Sequence, residues 1–169
     1  MAYVTGAAAK KSRGSAARHP CLFCGLSRAK PGPRNLVLAR TPGAVVMLNL
    51  YPYNVGHVMV APTRHRASLA RLTPEETLEM GEWLARVEEA LRSVYRPHGF
   101  NFGMNLGRPA GAGVLGHLHW HVVPRWNGDT NFMPVTAGVK VLPENLDRTY
   151  RRMADALAGQ GARSRTRRR

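Results

Sequence analysis

At 169 residues with a net charge of +15, the chain has the length of one domain and is large enough to bury a core without disulfide support. Its two cysteines sit together as Cys21-Leu22-Phe23-Cys24, a spacing that suits chelation of one metal ion and is common in reduced intracellular proteins. No apolar run reaches the ~18 to 20 residues of a membrane span, and the polar, Lys/Arg-bearing N-terminus has no signal-peptide core. The expectation is a cytoplasmic protein without a membrane partner.

Much of the charge lies at the ends. Lys10, Lys11, Arg13 and Arg18 precede the cysteine pair, and Arg163, Arg165, Arg167, Arg168 and Arg169 close the chain. Both ends are rich in Gly, Ala and Ser and lack apolar periodicity. Residues 1–19 are therefore expected to form a flexible basic arm, and 159–169 a disordered Arg-rich tail, with the folded domain over 20–158. Basic ends attract nucleic acid through counterion release, or are simply solvated. The second reading is preferred, which argues against a nucleic-acid partner, and the remaining surplus can steer polyanionic small molecules.

In chain order, Cys21 and Cys24 supply half of a tetrahedral zinc shell, to be completed by two nitrogen ligands, or else are two small buried hydrophobes. Beyond a Pro/Gly-rich loop, Asn35 to Ala39 and Val45 to Leu50 read as strands around the turn Thr41-Pro42-Gly43. Asn49 interrupts the second apolar run, and its amide either bonds ribose hydroxyls or starts the next turn. His57 to Pro62 is a strand ended by proline, in which His57 reads as a packed strand residue. Thr73-Pro74-Glu75-Glu76 is a helix start, with Thr73 as N-cap, Pro74 in the first turn and Glu76 at the capping-box position. That helix runs to about Tyr95, burying Leu78, Trp83, Leu84, Val87 and Leu91. Pro97-His98-Gly99 turns into a strand over Phe100 to Leu106. The loop Gly107 to Gly113 follows, whose small residues let backbone N–H groups approach an anion. After Trp126, which can stack on a base or cover the core, a last helix is expected from Pro143 to about Ala158, with Leu146, Tyr150, Met153 and Leu157 on one face.

The densest signal is Gly116-His117-Leu118-His119-Trp120-His121-Val122-Val123-Pro124-Arg125-Trp126. Side chains alternate along a strand, so His117, His119 and His121 share one face while Leu118, Trp120 and Val122 take the other. Imidazole binds zinc when neutral and can attack phosphorus. Three on one surface make a metal site, a nucleophilic site or both.

This stretch resembles the His-φ-His-φ-His-φ-φ signature (φ apolar) of the HIT, or histidine triad, superfamily of nucleotide hydrolases and transferases. The continuation Pro124-Arg125-Trp126-Asn127-Gly128-Asp129-Thr130-Asn131-Phe132 is similar to its bacterial branch described as diadenosine tetraphosphate phosphorylases. The likeness spans about Cys21 to about Leu157. It implies an α+β fold, a roughly five-stranded antiparallel sheet with two main helices. It also implies a structural zinc held by Cys21, Cys24, His65 after Pro62-Thr63-Arg64, and His117, with no organic cofactor. His119 would be the nucleophile forming a nucleotidyl-histidine. His121 would bind phosphate or assist the leaving oxygen, and His117 would hold zinc or orient the nucleophilic ring. Asn49 would contact ribose, with Leu22, Phe23, Leu48 and Leu50 around the base; Asn105, backbone at Gly113, and His121 would cradle the α-phosphate; Trp126 would lie by the nucleotide. Many relatives carry Gln or Ser where this chain has Gly113, so that side-chain contact is absent or replaced by backbone. Relatives pair into homodimers or higher homo-oligomers. The implied activity is cleavage of dinucleoside polyphosphates, by phosphate or by water. The alternatives are hydrolysis of adenosine phosphoramidates or adenylylated compounds and, in another class, a zinc-stabilised nucleotide or RNA binder without catalysis.

Overall fold

A computed structural model of the chain describes residues 21–130 and 144–167, with side chains through residue 160. The expected basic arm at 1–19, the segment from residue 131 that was expected to cross the site, and Pro143 lie outside the described residues. Five strands, β1 (Val37–Arg40), β2 (Ala44–Leu48), β3 (Val58–Pro62), β4 (Gly99–Gly103) and β5 (Trp120–Arg125), form one antiparallel sheet in the order β1-β2-β3-β5-β4. The helices are α1 (Leu22–Leu26), α2 (Pro74–Tyr95) and α3 (Leu146–Arg167). The fold is α+β with two long helices, as expected. Among the described residues no helix is long and apolar enough to cross a membrane.

The sheet is buried on both faces, which is why β2 and β3 read as unbroken apolar runs. On one face Val46, Leu48, Val58, Val60 and Val122 meet Met80, Trp83, Val87, Ala90 and Leu91 of α2 and Met153 and Leu157 of α3. On the other, Val37, Val45, Met47, Met59 and Ala61 pack on Cys21, Phe23 and Cys24 around α1. The start of α2 carries a full capping box: the Glu76 N–H donates to the Thr73 hydroxyl and the Thr73 N–H to the Glu76 carboxylate. Leu78, expected inside, is 66% exposed. It lies about 200° round the helix from Met80 at ~100° per residue, so the buried stripe is set by Met80, Trp83, Val87 and Leu91 instead. The last helix also differs from expectation, continuing to Arg167 where its end was placed near Ala158 and the tail beyond was read as disordered.

The strand carrying the histidines begins only at Trp120, leaving His117 and His119 ahead of it. The reason is Pro62. Val60 pairs with Trp120, so the next non-adjacent pair in that register would set Pro62 against Leu118, and proline has no N–H for the ladder. The Leu118 N–H turns to the Arg66 carbonyl, 2.6 Å away.

Candidate active site

Although only His121 lies on β5, the period-two spacing still brings the three imidazoles to one side of the sheet. The rings of His119 and His121 lie 4.9 Å apart. Phe23 packs against both His117 (5.2 Å) and His119 (4.5 Å). All three histidines are buried, and burial, the largest influence on each, pushes their pKa values down. His121 falls to about 4, with nearby His119 adding to the effect. For His117 and His119, accepting carbonyls partly offset the shift. Neutral imidazole is thus the resting form.

In neutral imidazole one nitrogen donates and the other accepts, and here each second nitrogen is tied to a different partner. His117 Nε2–H donates to the Pro62 carbonyl at 2.8 Å, leaving Nδ1 as a lone pair. His119 does the opposite: Nδ1–H donates to the His117 carbonyl at 3.0 Å, leaving Nε2 bare. For His121 the tautomer is set from a distance. The Tyr53 backbone N–H donates to His57 Nδ1 at 3.0 Å, so the proton of a neutral His57 is on Nε2, which donates to His121 Nδ1 at 2.9 Å. His121 then carries its proton on Nε2. His57, read from sequence as a packed strand residue, is 1% exposed and also orients the site. Tyr53 was missed as well, and its ring stacks on His121 at 5.6 Å. Neither has a sequence signal stronger than a strand-entry histidine and a tyrosine in a turn-rich segment.

The His117 lone pair points at the cysteine pair, with Nδ1 lying 3.2 Å from Cys21 Sγ and 3.6 Å from Cys24 Sγ. His65 Nδ1 is 3.3 Å from Cys24 Sγ, and the four donor atoms of Cys21, Cys24, His65 and His117 lie within 4.8 Å of one another. This cluster can hold a metal ion. In its absence burial, then the neighbouring Cys21, pushes the Cys24 thiol up.

The remaining expected positions divide. Asn105 lies two residues past Gly103, which pairs with His121, so the same register extended sets it opposite His119. Its amide lies 3.8 Å from where a Cβ at Gly111 would sit, inside the expected Gly-rich loop. Gly113 is in that loop too, but a Cβ added there would meet nothing within 4 Å, so sterics do not demand glycine. Asn49 is half-buried, with Oδ1 accepting the Tyr51 N–H at 3.0 Å and Nδ2 3.4 Å from His57 Nδ1. It starts the turn and also borders the histidine cluster. Phe23 and Leu48 are buried on opposite faces of the sheet and cannot flank a base together; Leu22 and Leu50 are more than half exposed. Trp126 follows the far end of β5. Five residues from His121 at ~3.3 Å each is about 16 Å, and no ring contact joins it to the histidines among the described residues. Arg125 is engaged by the Asp129 carboxylate (2.6 and 2.7 Å) and Asn101 (2.8 Å), which holds Asp129 well below the carboxylate range. It closes the turn after β5.

The sequence profile described as HIT domain matches residues 33–128. A protein of Mycobacterium tuberculosis named AP-4-A phosphorylase is 46% identical over 125 residues, covering 74% of this chain and 64% of that protein, so the match leaves over a third of the relative's length unaccounted for. An uncharacterized HIT-like protein of the same organism is 32% identical over 146 residues, covering 85% of this chain and 96% of that one. Among solved structures, a zinc-bound histidine triad family protein from Mycobacterium smegmatis superposes with a TM-score of 0.65 at 26% identity, over 85% of this chain and 96% of that one.

Proposed function

This chain belongs to the HIT family, and on that footing we propose that it cleaves dinucleoside polyphosphates of the diadenosine tetraphosphate kind at the α-phosphate, through a nucleotidyl-histidine, with inorganic phosphate as acceptor. The observation that carries the reading is His119, whose Nδ1–H is held by the His117 carbonyl while Nε2 is left as a lone pair in a ring that burial keeps neutral. Nε2 attacks the α-phosphorus, forming an N–P bond as the bridging P–O bond breaks and a nucleoside triphosphate departs. His121 presents Nε2–H to the departing or non-bridging oxygen, where a fixed donor helps most as charge develops. Asn105 and the backbone of the 107–113 loop hold the α-phosphate, and Asn49 the ribose. A phosphate oxygen then attacks phosphorus, the N–P bond breaks and a nucleoside diphosphate leaves. The 46%-identical relative's name supports phosphate over water as the acceptor.

Zinc fits the cluster of Cys21, Cys24, His65 and His117. Tetrahedral zinc with Zn–S about 2.3 Å and Zn–N about 2.0–2.1 Å has S···N edges of about 3.5 Å, against 3.2, 3.3 and 3.6 Å here. The Pro62 carbonyl on His117 Nε2 supplies the outer hydrogen bond that such a ligand needs. Four protein donors leave no open position, so zinc bound there is structural, fixing α1 and the entry to β5. The open edge of β4, where Phe102 is 41% exposed, suits pairing with a second copy into a homodimer, which light scattering would test.

Turnover of diadenosine tetraphosphate with and without inorganic phosphate, products separated by chromatography, tests the reading. ADP and ATP formed only with phosphate supports it. AMP and ATP without phosphate makes the chain a hydrolase, and turnover that survives His119→Ala removes the proposed nucleophile.

A further inference from the structure

A cavity of about 590 Å³ is lined by His65, Arg66, Ala67, Arg71 and Gly116, the residue just before His117. It is tied to the triad through the backbone, because the Arg66 carbonyl accepts the Leu118 N–H between His117 and His119. Two arginines, Arg66 and Arg71, are among its lining residues, and neither guanidinium has its hydrogen-bonding capacity filled among the described residues. Arg66 Nε is buried without an acceptor among the described residues, and Nη1 reaches only the His65 carbonyl at 3.3 Å. Arg71 is exposed and its guanidinium has no hydrogen bond or ion pair among the described residues. Its neighbour Arg64, by contrast, is held by both oxygens of Glu76 at 2.5 and 3.0 Å, and Arg66 feels that carboxylate only through its charge, without a hydrogen bond to it. A buried cationic donor without an acceptor is costly, and two arginines around one cavity match the forked geometry of phosphoryl oxygens.

We propose that Arg66 and Arg71 form an anion subsite beside the triad that takes phosphoryl oxygens distal to the cleaved bond. The occupant is either the polyphosphate chain of the substrate or the inorganic phosphate acceptor, and this rests on the polyphosphate reading above. Because the Arg66 backbone is bonded to Leu118, next to His119, anchoring those oxygens there helps to orient the leaving or entering oxygen.

The test is calorimetric titration of the full-length, zinc-loaded protein and its Arg71→Ala and Arg71→Lys variants with sodium tripolyphosphate, inorganic phosphate and AMP, with metal content checked afterwards. Arg71→Ala is expected to weaken tripolyphosphate binding about tenfold, with AMP affinity kept and part of the loss restored by Arg71→Lys. A matching loss for inorganic phosphate identifies the acceptor anion, and a loss confined to tripolyphosphate identifies the substrate's chain. Equal tripolyphosphate affinity in the wild type and Arg71→Ala, or none in the wild type, overturns the subsite. Absence of AMP binding and turnover in the wild type would instead strike the proposed function, while the tripolyphosphate titration still judges the subsite.

Discussion

Replacing His57 by Phe tests whether the tautomer of His121 is imposed from outside the triad. The ring is 1% exposed, so phenylalanine fills nearly the same space, but two groups lose their partners, one part-buried and one buried. These are the Tyr53 N–H, which His57 Nδ1 accepts at 3.0 Å, and His121 Nδ1, which faces His57 Nε2 at 2.9 Å. An orphaned buried group such as His121 Nδ1 costs about 1–3 kcal/mol, and the part-buried Tyr53 N–H less because water can reach it. Taking about 2 kcal/mol for the pair, at about 2–4 °C per kcal/mol for a domain of this size, the melting temperature should fall by about 6 °C. The chemical effect is separate. Once Nδ1 is unclaimed, His121 can carry its proton there and turn a bare lone pair toward a phosphate oxygen. Loss of an orienting partner of this kind costs about 10–100-fold, expected in kcat more than in KM. The assay is steady-state turnover of diadenosine tetraphosphate well below the variant's melting point, alongside a thermal melt. His57→Gln, which offers both an acceptor and a donor, should recover part of both losses. A variant that melts early yet keeps kcat within twofold of the wild type would refute the tautomer argument and leave His57 a packing residue.

Three further outcomes follow from other parts of the molecule. Cys24→Ala should release stoichiometric zinc, read by metal analysis, and destabilise the fold by several kcal/mol in denaturant titration; a variant retaining zinc would place the metal elsewhere. The acid limb of kcat/KM should lie below pH 6.5, since burial holds His119 below its ordinary value and His121 at about 4. Stability has the same sign. The unfolded chain takes up these protons near 6.5 while the folded chain resists, so stability is full above that pH and drains away down to about 4; a melting temperature flat from pH 7 to 4.5 would contradict it. Gly56→Ala should cost about 1–3 kcal/mol. Gly56 has a φ of +76°, and a Cβ there would lie 2.8 Å from Leu91 and 3.3 Å from Tyr95 of α2, so a thermal melt like the wild type's would refute the close packing.

Local chemistry wrote the parts of the fold that were legible in the sequence. Thr73-Pro74-x-Glu76 names its own cap, and the observed helix starts at Pro74 and ends at Tyr95. The strands β2 and β3 announce themselves because both of their faces are buried. Less legible was anything set by partners distant in sequence. Leu78 satisfies a hydrophobic count but not the angular stripe that α3 and the sheet cover. Phe23 reads as a base contact until the structure puts it at 0% exposure against two imidazoles.

The histidine row carries the same distinction furthest. Period-two spacing brings three imidazoles to one surface, and nothing in that spacing tells them apart. Their difference lies in what each second nitrogen touches. A carbonyl made available by the proline that ends β3 turns His117 toward the cysteines. The backbone of His117 then turns His119 the other way, leaving Nε2 as a lone pair. A histidine from β3's entry, reached only because β3 and β5 pair, assigns the third. A variant that kept all three histidines but moved Pro62 would keep the motif and lose the division. Pro62→Ala would restore an N–H where the ladder now stops and invite β5 to extend through Leu118, pulling that N–H away from Arg66. The rings of His117 and His119 would then answer to strand geometry, and the expected result is weaker zinc retention together with lower kcat in a chain whose signature is untouched.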